Sequence, residues 1–229
     1  MQESIRKSYN HLKIHSQYSI CEGAIKIDLL KEYCKTNKIQ SAGISDTHNL
    51  SGALEFSENL SSIGTQPIIG TQILFKYKNF FGLIPLIAKN KDGYKNIIEL
   101  SSKSYLDNNN LNVPHCNFDD LIANNDGIIV LSGTINCLVG KLFNKGLFEE
   151  VDNIYKKLSE NFIDNLYIEI QRHNDLNERQ FESFNLNLSK KYNLPIIATN
   201  EVYYLDQTMH EAHDALICIG QKTYINDSN

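Results

Sequence analysis

Histidines, carboxylates and amides recur in this chain at the ends of short apolar runs, where they could coordinate a cation or move a proton. His11-Leu-Lys-Ile-His15 closes the first run, Ser45-Asp46-Thr47-His48 the second, and Gly70-Thr71-Gln72 interrupts a third. Ser132-Gly133-Thr134 follows Ile128–Leu131, Gln171-Arg172-His173 follows Leu166–Ile170, and Asn200-Glu201-Val202-Tyr203 follows Pro195–Thr199. Polar residues gathered at the C-terminal ends of parallel strands form the active-site face of β/α architectures. This face looks built for metal, yet carries few groups that hold one.

The histidines do not pair into a familiar site. In a strand, His11 and His15 share a face but stand about 13 Å apart, too far for one metal. Lys13 lies between them on that face, and an ammonium repels a cation. Taken alone, His15 reads as a satisfied buried histidine. His210-Glu-Ala-His213 has i,i+3 spacing, whereas the zinc-protease motif is i,i+4 with Glu after the first His. It reads as an ordinary helical pair. His115, beside Pro114 in a loop, reads as solvent-facing. The chain has no phosphate loop, no Gly-x-Gly-x-x-Gly and no Gly-x-Ser-x-Gly elbow.

The elements that must position these groups alternate between strand and helix patterns. Strand runs are 11–15, 39–45, 67–76, 82–88, 127–132, 165–171 and 195–199. Most are near-continuous apolar runs, as in parallel strands covered on both faces. Helical patterns occupy 25–36, 50–62, 94–105, 147–160, 176–192 and 208–219. The expected apolar faces are Ile25, Leu29, Leu30, Tyr33 and Cys34 in the first, Leu50, Leu54 and Ile63 in the second, and Tyr94, Ile97, Ile98 and Leu100 in the third. Asp206 is a candidate N-cap for the last helix, with Thr208-x-x-Glu211 a competing capping box. Leu106 to Cys116, with Asn108–Asn110 and Pro114, reads as a long loop. About seven strands with intervening helices favour a distorted parallel β/α barrel, although the pattern also allows an open sheet.

Composition narrows the class. The 229 residues suffice for one barrel-sized domain, and 41% hydrophobic content, with 12 Tyr and 10 Phe, supplies a core. The net charge of −5, with scattered Lys and Arg, argues against direct DNA binding, which needs clustered cations. Cysteines 21, 34, 116, 137 and 218 include no Cys-x-x-Cys and read as reduced thiols of a cytoplasmic protein. The N-terminal Met-Gln-Glu-Ser-Ile-Arg-Lys lacks the apolar core of a signal peptide, and no run is long enough to span a membrane.

His11-Leu-Lys-Ile-His-Ser-Gln-Tyr-Ser-Ile-Cys-Glu-Gly23 resembles the opening motif of the PHP (polymerase and histidinol phosphatase) domain. More narrowly, it is similar to the PHP domain at the N-terminus of bacterial DNA polymerase III α subunits. Ser45–Phe56, Pro67–Gly70, Lys89–Ile97, Gly127–Gly133, Ala198–Glu201 and His213-Asp-Ala-Leu agree in order and spacing. The resemblance implies a PHP domain over 1–220, with 221–229 beginning the connection to a polymerase body and the natural chain continuing beyond Asn229.

Metal-binding members of that family hold several metals at the strand ends for phosphoester hydrolysis. Carried over position by position, their first ligand histidine becomes Lys13 and the second is His15. The acid of the following Asp-Gly becomes Glu22. The His of Thr-Asp-His becomes Thr47, after Asp46. The Glu of Gly-x-Glu becomes Gln72, the next strand's His becomes Leu83, and the Cys or His after Ser-Gly becomes Thr134. The closing Asp-x-His becomes Glu201 and Tyr203. His48, out of register, and His173 are the only candidates for rescue. Metal sites need about four well-placed ligands, counting water, so no metal and no catalytic residue is expected in this remnant cleft.

The resemblance therefore implies a non-catalytic scaffold. It would pack on the polymerase body in cis and help dock the proofreading exonuclease within the replicase assembly. The parent subunit would be a magnesium-dependent DNA-directed DNA polymerase, its nucleotidyltransferase acids lying elsewhere. Competing readings are a free-standing metal-dependent phosphoesterase, or a trimmed PHP exonuclease using His15, Glu22, Asp46 and Glu201. On the metal-free scaffold reading, Lys13 stabilises the former site as an internal cation, within reach of at least one of Glu22, Asp46 and Glu201, where crowded carboxylates otherwise cost stability; the alternative is Lys13 turned to solvent at the strand end.

Overall fold

The computed structural model describes residues 9–107 and 113–225. The segment read for a signal peptide, Asn108–Asn110 of the long loop and the last four residues lie outside the described residues. The chain divides into two compact units. One draws on Met1–Asp46, Ser51–Ile69 and Asn200–Asn229, the other on Thr47–Leu50 and Gly70–Thr199.

In the first unit, β1 (Lys13–Ile14) pairs in parallel with both β2 (Ser41–Thr47) and β9 (Glu201–Val202). Ile14 lies opposite Ile44 on one side and Val202 on the other. Side chains alternate across a strand, so Ile14 joins one face while Lys13 and His15 share the other. Helix α1 (Ile27–Thr36) buries Ile27, Leu30 and Cys34, and α2 (Ala53–Ser61) buries Ala53, Phe56 and Leu60. Both sets fall at i, i+3, i+7, one apolar stripe per helix. Ile27, Leu30, Cys34, Phe56 and Leu60 join Ile14, Ile25, Ala42 and Ile44 in this unit's core. Helix α8 (His210–Gln221) follows a short 3₁₀ turn capped by Asp206, whose side chain accepts from Thr208 N at 2.8 Å.

In the second unit, the strand order is β8 (Ile196–Ala198), β7 (Leu166–Ile170), β6 (Ile128–Leu131), β4 (Phe80–Ala88), then β3 (Gln66–Tyr77) from Gly70 onward. The short β5 (Cys116–Asn117) pairs in parallel with β3. Helices α3 (Lys91–Leu106), α4 (Phe118–Ala123), α5 (Leu138–Asn144), α6 (Phe148–Asn161) and α7 (Glu178–Tyr192) complete it. Gly93, in the first turn of α3, is required by packing: an added Cβ would lie 1.7 Å from the Gly127 carbonyl oxygen.

The sequence expectations need several corrections. Two pairings, β3–β4 and β4–β6, are antiparallel rather than parallel. The turn between β3 and β4 is only Lys78-Asn79, far too short for the crossover that parallel pairing needs. Strands β5 and β9 and helices α4 and α5 were not anticipated, because two-residue strands and six- or seven-residue helices hold too little period to register. Leu29, Tyr33, Leu54 and Ile98, assigned to apolar faces, are exposed. In α2 the true stripe is one phase away, on Ala53, Phe56 and Leu60. His115 is half-buried, edge-on to Phe81 at 5.0 Å, rather than fully solvent-facing.

The core of the second unit contains buried polar side chains, and Tyr155 is the largest of them. Tyr155 is fully buried, and its hydroxyl donates to Asn185 Oδ1 at 3.0 Å. Tyr155→Phe leaves that oxygen without its donor and should cost about 1–3 kcal/mol. A lower denaturant midpoint with an unchanged m-value is the expected readout; an unshifted midpoint would refute the anchor.

Candidate functional site

The polar side chains singled out from the sequence fall into two groups, one in each unit. In the first unit, the register sets Lys13 directly beside Glu201. Lys13 is fully buried, and its ammonium forms an ion pair with Glu201 Oε1. His15, 1% exposed, donates from Nε2 to Glu201 Oε2 at 2.6 Å. Both carboxylate oxygens of Glu201 therefore face basic groups. Burial alone would push the Glu201 carboxyl up. The Lys13 charge and the hydrogen bond and charge of His15 outweigh it and hold the group down at about 2.

Asp46, more deeply buried than Glu201 at 1% exposure, is held differently. Its carboxylate accepts from Ser16 N at 2.6 Å, Ser16 Oγ at 2.7 Å and Ser19 Oγ at 2.9 Å. Burial raises its carboxyl above the ordinary value, against the opposing pull of those donors and of His15. Ser19 Oγ also lies 3.2 Å from His15 Nδ1, linking Asp46 to the Lys13–His15–Glu201 group. The loop carrying both serines turns tightly at Gly23, where a Cβ would stand 2.1 Å from the Ser16 carbonyl oxygen.

Tyr203 stacks on the His15 ring, with centroids 4.4 Å apart and planes 22° apart. His213, on α8, stacks on Tyr203 at 5.6 Å and donates from Nε2 to the Glu22 carbonyl oxygen at 2.8 Å. The helical pair thus divides: His213 packs against the loop, while His210 is exposed near Asp214.

In the second unit, His48 adopts φ +64°, and its backbone N–H donates to the Gln72 carbonyl at 2.8 Å, so Thr47, His48 and Gln72 are neighbours. Leu83 lies opposite Leu74 across the β3–β4 pair. Thr134 Oγ1 is 3.7 Å from Cys137 Sγ. The exposed His173 reaches Gln171 Oε1 at 3.1 Å through Nε2.

Sequence reasoning missed Glu169, which is 2% exposed and accepts from Gln171 Nε2 at 3.0 Å and from the Thr199 hydroxyl. An acid inside the apolar run Leu166-Tyr-Ile-Glu-Ile170 was the available signal. Ser16 and Ser19, the donors to Asp46, were also missed. Among the described residues, no three His, Cys, Asp or Glu side chains group as metal ligands do.

Comparison with known proteins places this arrangement. The sequence pattern of the PHP domain matches residues 11–173. The chain belongs to the PHP domain family. Two similar relatives are DNA polymerase III α subunits. That of Rickettsia felis is 37% identical over 217 residues, covering 94% of this chain and 18% of the relative. That of Caulobacter vibrioides is 33% identical over 234 residues, covering 98% and 20%. This PHP chain spans about a fifth of their length.

Among solved structures, a two-domain protein of Bacteroides vulgatus containing a predicted PHP-like metal-dependent phosphoesterase aligns with TM-score 0.54 at 12% identity. The alignment covers 89% of this chain and 55% of the other. An amidohydrolase of Chromobacterium violaceum, with bound sulfate and no metal, aligns with TM-score 0.54 at 8% identity, covering 91% and 97%. The α/β fold is of the PHP type, with mostly parallel strands. Among the described residues, no helix is long and apolar enough to cross a membrane.

Proposed function

We propose that this PHP chain is a segment of a DNA polymerase III α subunit and serves there as a non-catalytic scaffold. It packs on the polymerase body in cis and helps dock the proofreading exonuclease in the cytoplasmic replicase. The polymerase chemistry, with its magnesium, belongs to other parts of that subunit, and this segment makes no direct contact with DNA.

The observation that carries the reading is the Lys13–Glu201 ion pair. A fixed ammonium occupies the first ligand position of the family's His-x-His motif, and it takes up the acid that aligns with the closing ligand. Asp46 meanwhile accepts from hydroxyl and amide donors of the Ser16–Ser19 loop. The donor set does not fit a divalent cation. Without a metal to lower the pKa of water, phosphoester hydrolysis lacks its nucleophile.

Elemental analysis tests this directly. Protein purified without chelator should carry substoichiometric zinc, manganese and iron. It should hydrolyse neither histidinol phosphate, nor a generic phosphomonoester, nor a DNA 3′ end when manganese is supplied. Lys13→His alone should leave the metal content unchanged. A tightly held ion per chain, or hydrolysis abolished by His15→Ala, would instead establish the phosphoesterase reading. For the scaffold role, a full-length α subunit lacking this segment should fail to retain the exonuclease on a sizing column; undiminished retention would remove that role.

A further inference from the structure

We propose that the tip of the β3–β4 hairpin, together with α5, is a docking surface for an acidic segment of a partner protein that also carries aromatic side chains. Charge is unevenly distributed along this chain. It holds 27 Asp and Glu, yet residues 59–91 and 127–148 contain none, while they carry Lys76, Lys78, Lys89, Lys91, Lys141 and Lys145. The fold brings these two acid-free runs together. Strand β4 pairs with β6, and α5 packs on β4 so closely that a Cβ on Gly82 would stand 2.3 Å from Leu138 Cα.

Three of the ammoniums gather round two phenylalanines. Lys76 Nζ stands 5.8 Å from the centre of the Phe81 ring, and Lys145 Nζ stands 5.9 Å from that of Phe80. Lys141 Nζ lies 3.5 Å from the Phe81 carbonyl oxygen. The Phe81 side chain is exposed at 41%. Lys78, in the turn, is neutralised by Glu150 of α6. Lys76, Lys141 and Lys145 have no carboxylate within ion-pair distance among the described residues.

An exposed ring bordered by uncompensated ammoniums has the anatomy of an interface, with an apolar centre and a polar rim. Carboxylates complement that rim, and an aromatic side chain covers Phe81. The rest of the chain selects against a nucleic acid. Its net charge of −5 repels an extended polyanion. Glu149 and Glu150, in the first turn of α6, meet such a backbone beside Lys78. A peptide can space its carboxylates to avoid them, whereas a nucleic acid carries a phosphate at every nucleotide. The surface lies in the second unit, and Lys13, His15 and Glu201 belong to the first. The proposal therefore stands whatever the parentage of the chain and whatever its metal content.

The test titrates the 229-residue chain with three probes, following amide shifts by NMR. They are a synthetic peptide repeating Glu-Phe-Asp, its neutral Gln-Phe-Asn counterpart, and oligothymidylate. The acidic peptide should bind saturably, with shifts centred on Lys76, Phe81 and Lys141, and more weakly at high salt. The neutral peptide should bind about tenfold more weakly or not at all. The variant Lys76→Gln/Lys141→Gln/Lys145→Gln should lose about tenfold in affinity for the acidic peptide at an unchanged thermal midpoint. The comparison of the two peptides on the parent protein holds even if this variant fails to fold. Absence of saturable binding, shifts located elsewhere, or equal affinity for the acidic and neutral peptides would overturn the proposal. Oligothymidylate binding tighter than the acidic peptide at the same residues would overturn it too, in favour of a nucleic-acid interface.

Discussion

Glu201→Gln should lower stability by about 3 kcal/mol at neutral pH, because it removes the carboxylate charge that faces the buried Lys13 ammonium. For a chain of this size that is a fall of roughly 6–12 °C in thermal midpoint. The sign of the pH dependence follows from the carboxyl. Its folded pKa of about 2 lies below the ordinary 4.5, so the pair stabilises the fold above pH 4.5 and loses that contribution as pH falls toward 2. The gap between parent and variant should close across that window. Lys13→Met should cost less, since His15 still donates to Glu201, and its effect should shrink in the same window. The double variant Lys13→Met/Glu201→Leu should recover most of the loss, because removing both charges also removes their desolvation. A Glu201→Gln protein as stable as the parent at pH 7, or a gap that widens on acidification, would contradict the assignment of Lys13 as an internal cation.

Gly23→Ala should destabilise by about 1–3 kcal/mol through overpacking. The added methyl meets the carbonyl oxygens of Ser16 at 2.1 Å and His15 at 2.7 Å. Neither can yield cheaply. His15 N donates to the Val202 carbonyl at 2.8 Å, and Ser16 bridges Ile25 while its own amide and hydroxyl hold Asp46. The strain should therefore surface in the Asp46 network, as altered amide shifts at Ser16 and Ser19 alongside a reduced thermal midpoint. Unperturbed shifts at those two serines would show that the loop absorbs the methyl elsewhere.

Much of the secondary structure was legible because most of the long elements carry a full period. The apolar runs at 67–76, 82–88 and 165–171 correspond to β3, β4 and β7, and the helical patterns at 147–160 and 176–192 to α6 and α7. The antiparallel β3–β4 pair was also within reach, since the gap after residue 76 leaves no room for a helix. The phase of α2 was not. Leu54 is as apolar as Leu60, and only the core it meets decides that Phe56 and Leu60 turn inward while Leu54 faces water.

The sequence by itself determined which side chains stand at the family's ligand positions. Lysine, threonine, glutamine, leucine and tyrosine at 13, 47, 72, 83 and 203 are facts of composition, and their chemistry is independent of fold. The order of the motif blocks likewise points to the PHP architecture. Only the tertiary structure decided what the surviving charges do. Lys13 and Glu201 are far apart in the chain, and the parallel register of β1 with β9 alone brings them side by side. The same holds for Asp46, whose donors come from a loop near the start of the chain. Pattern and residue type are local properties. Pairing of buried charges depends on register and burial, which no local window contains.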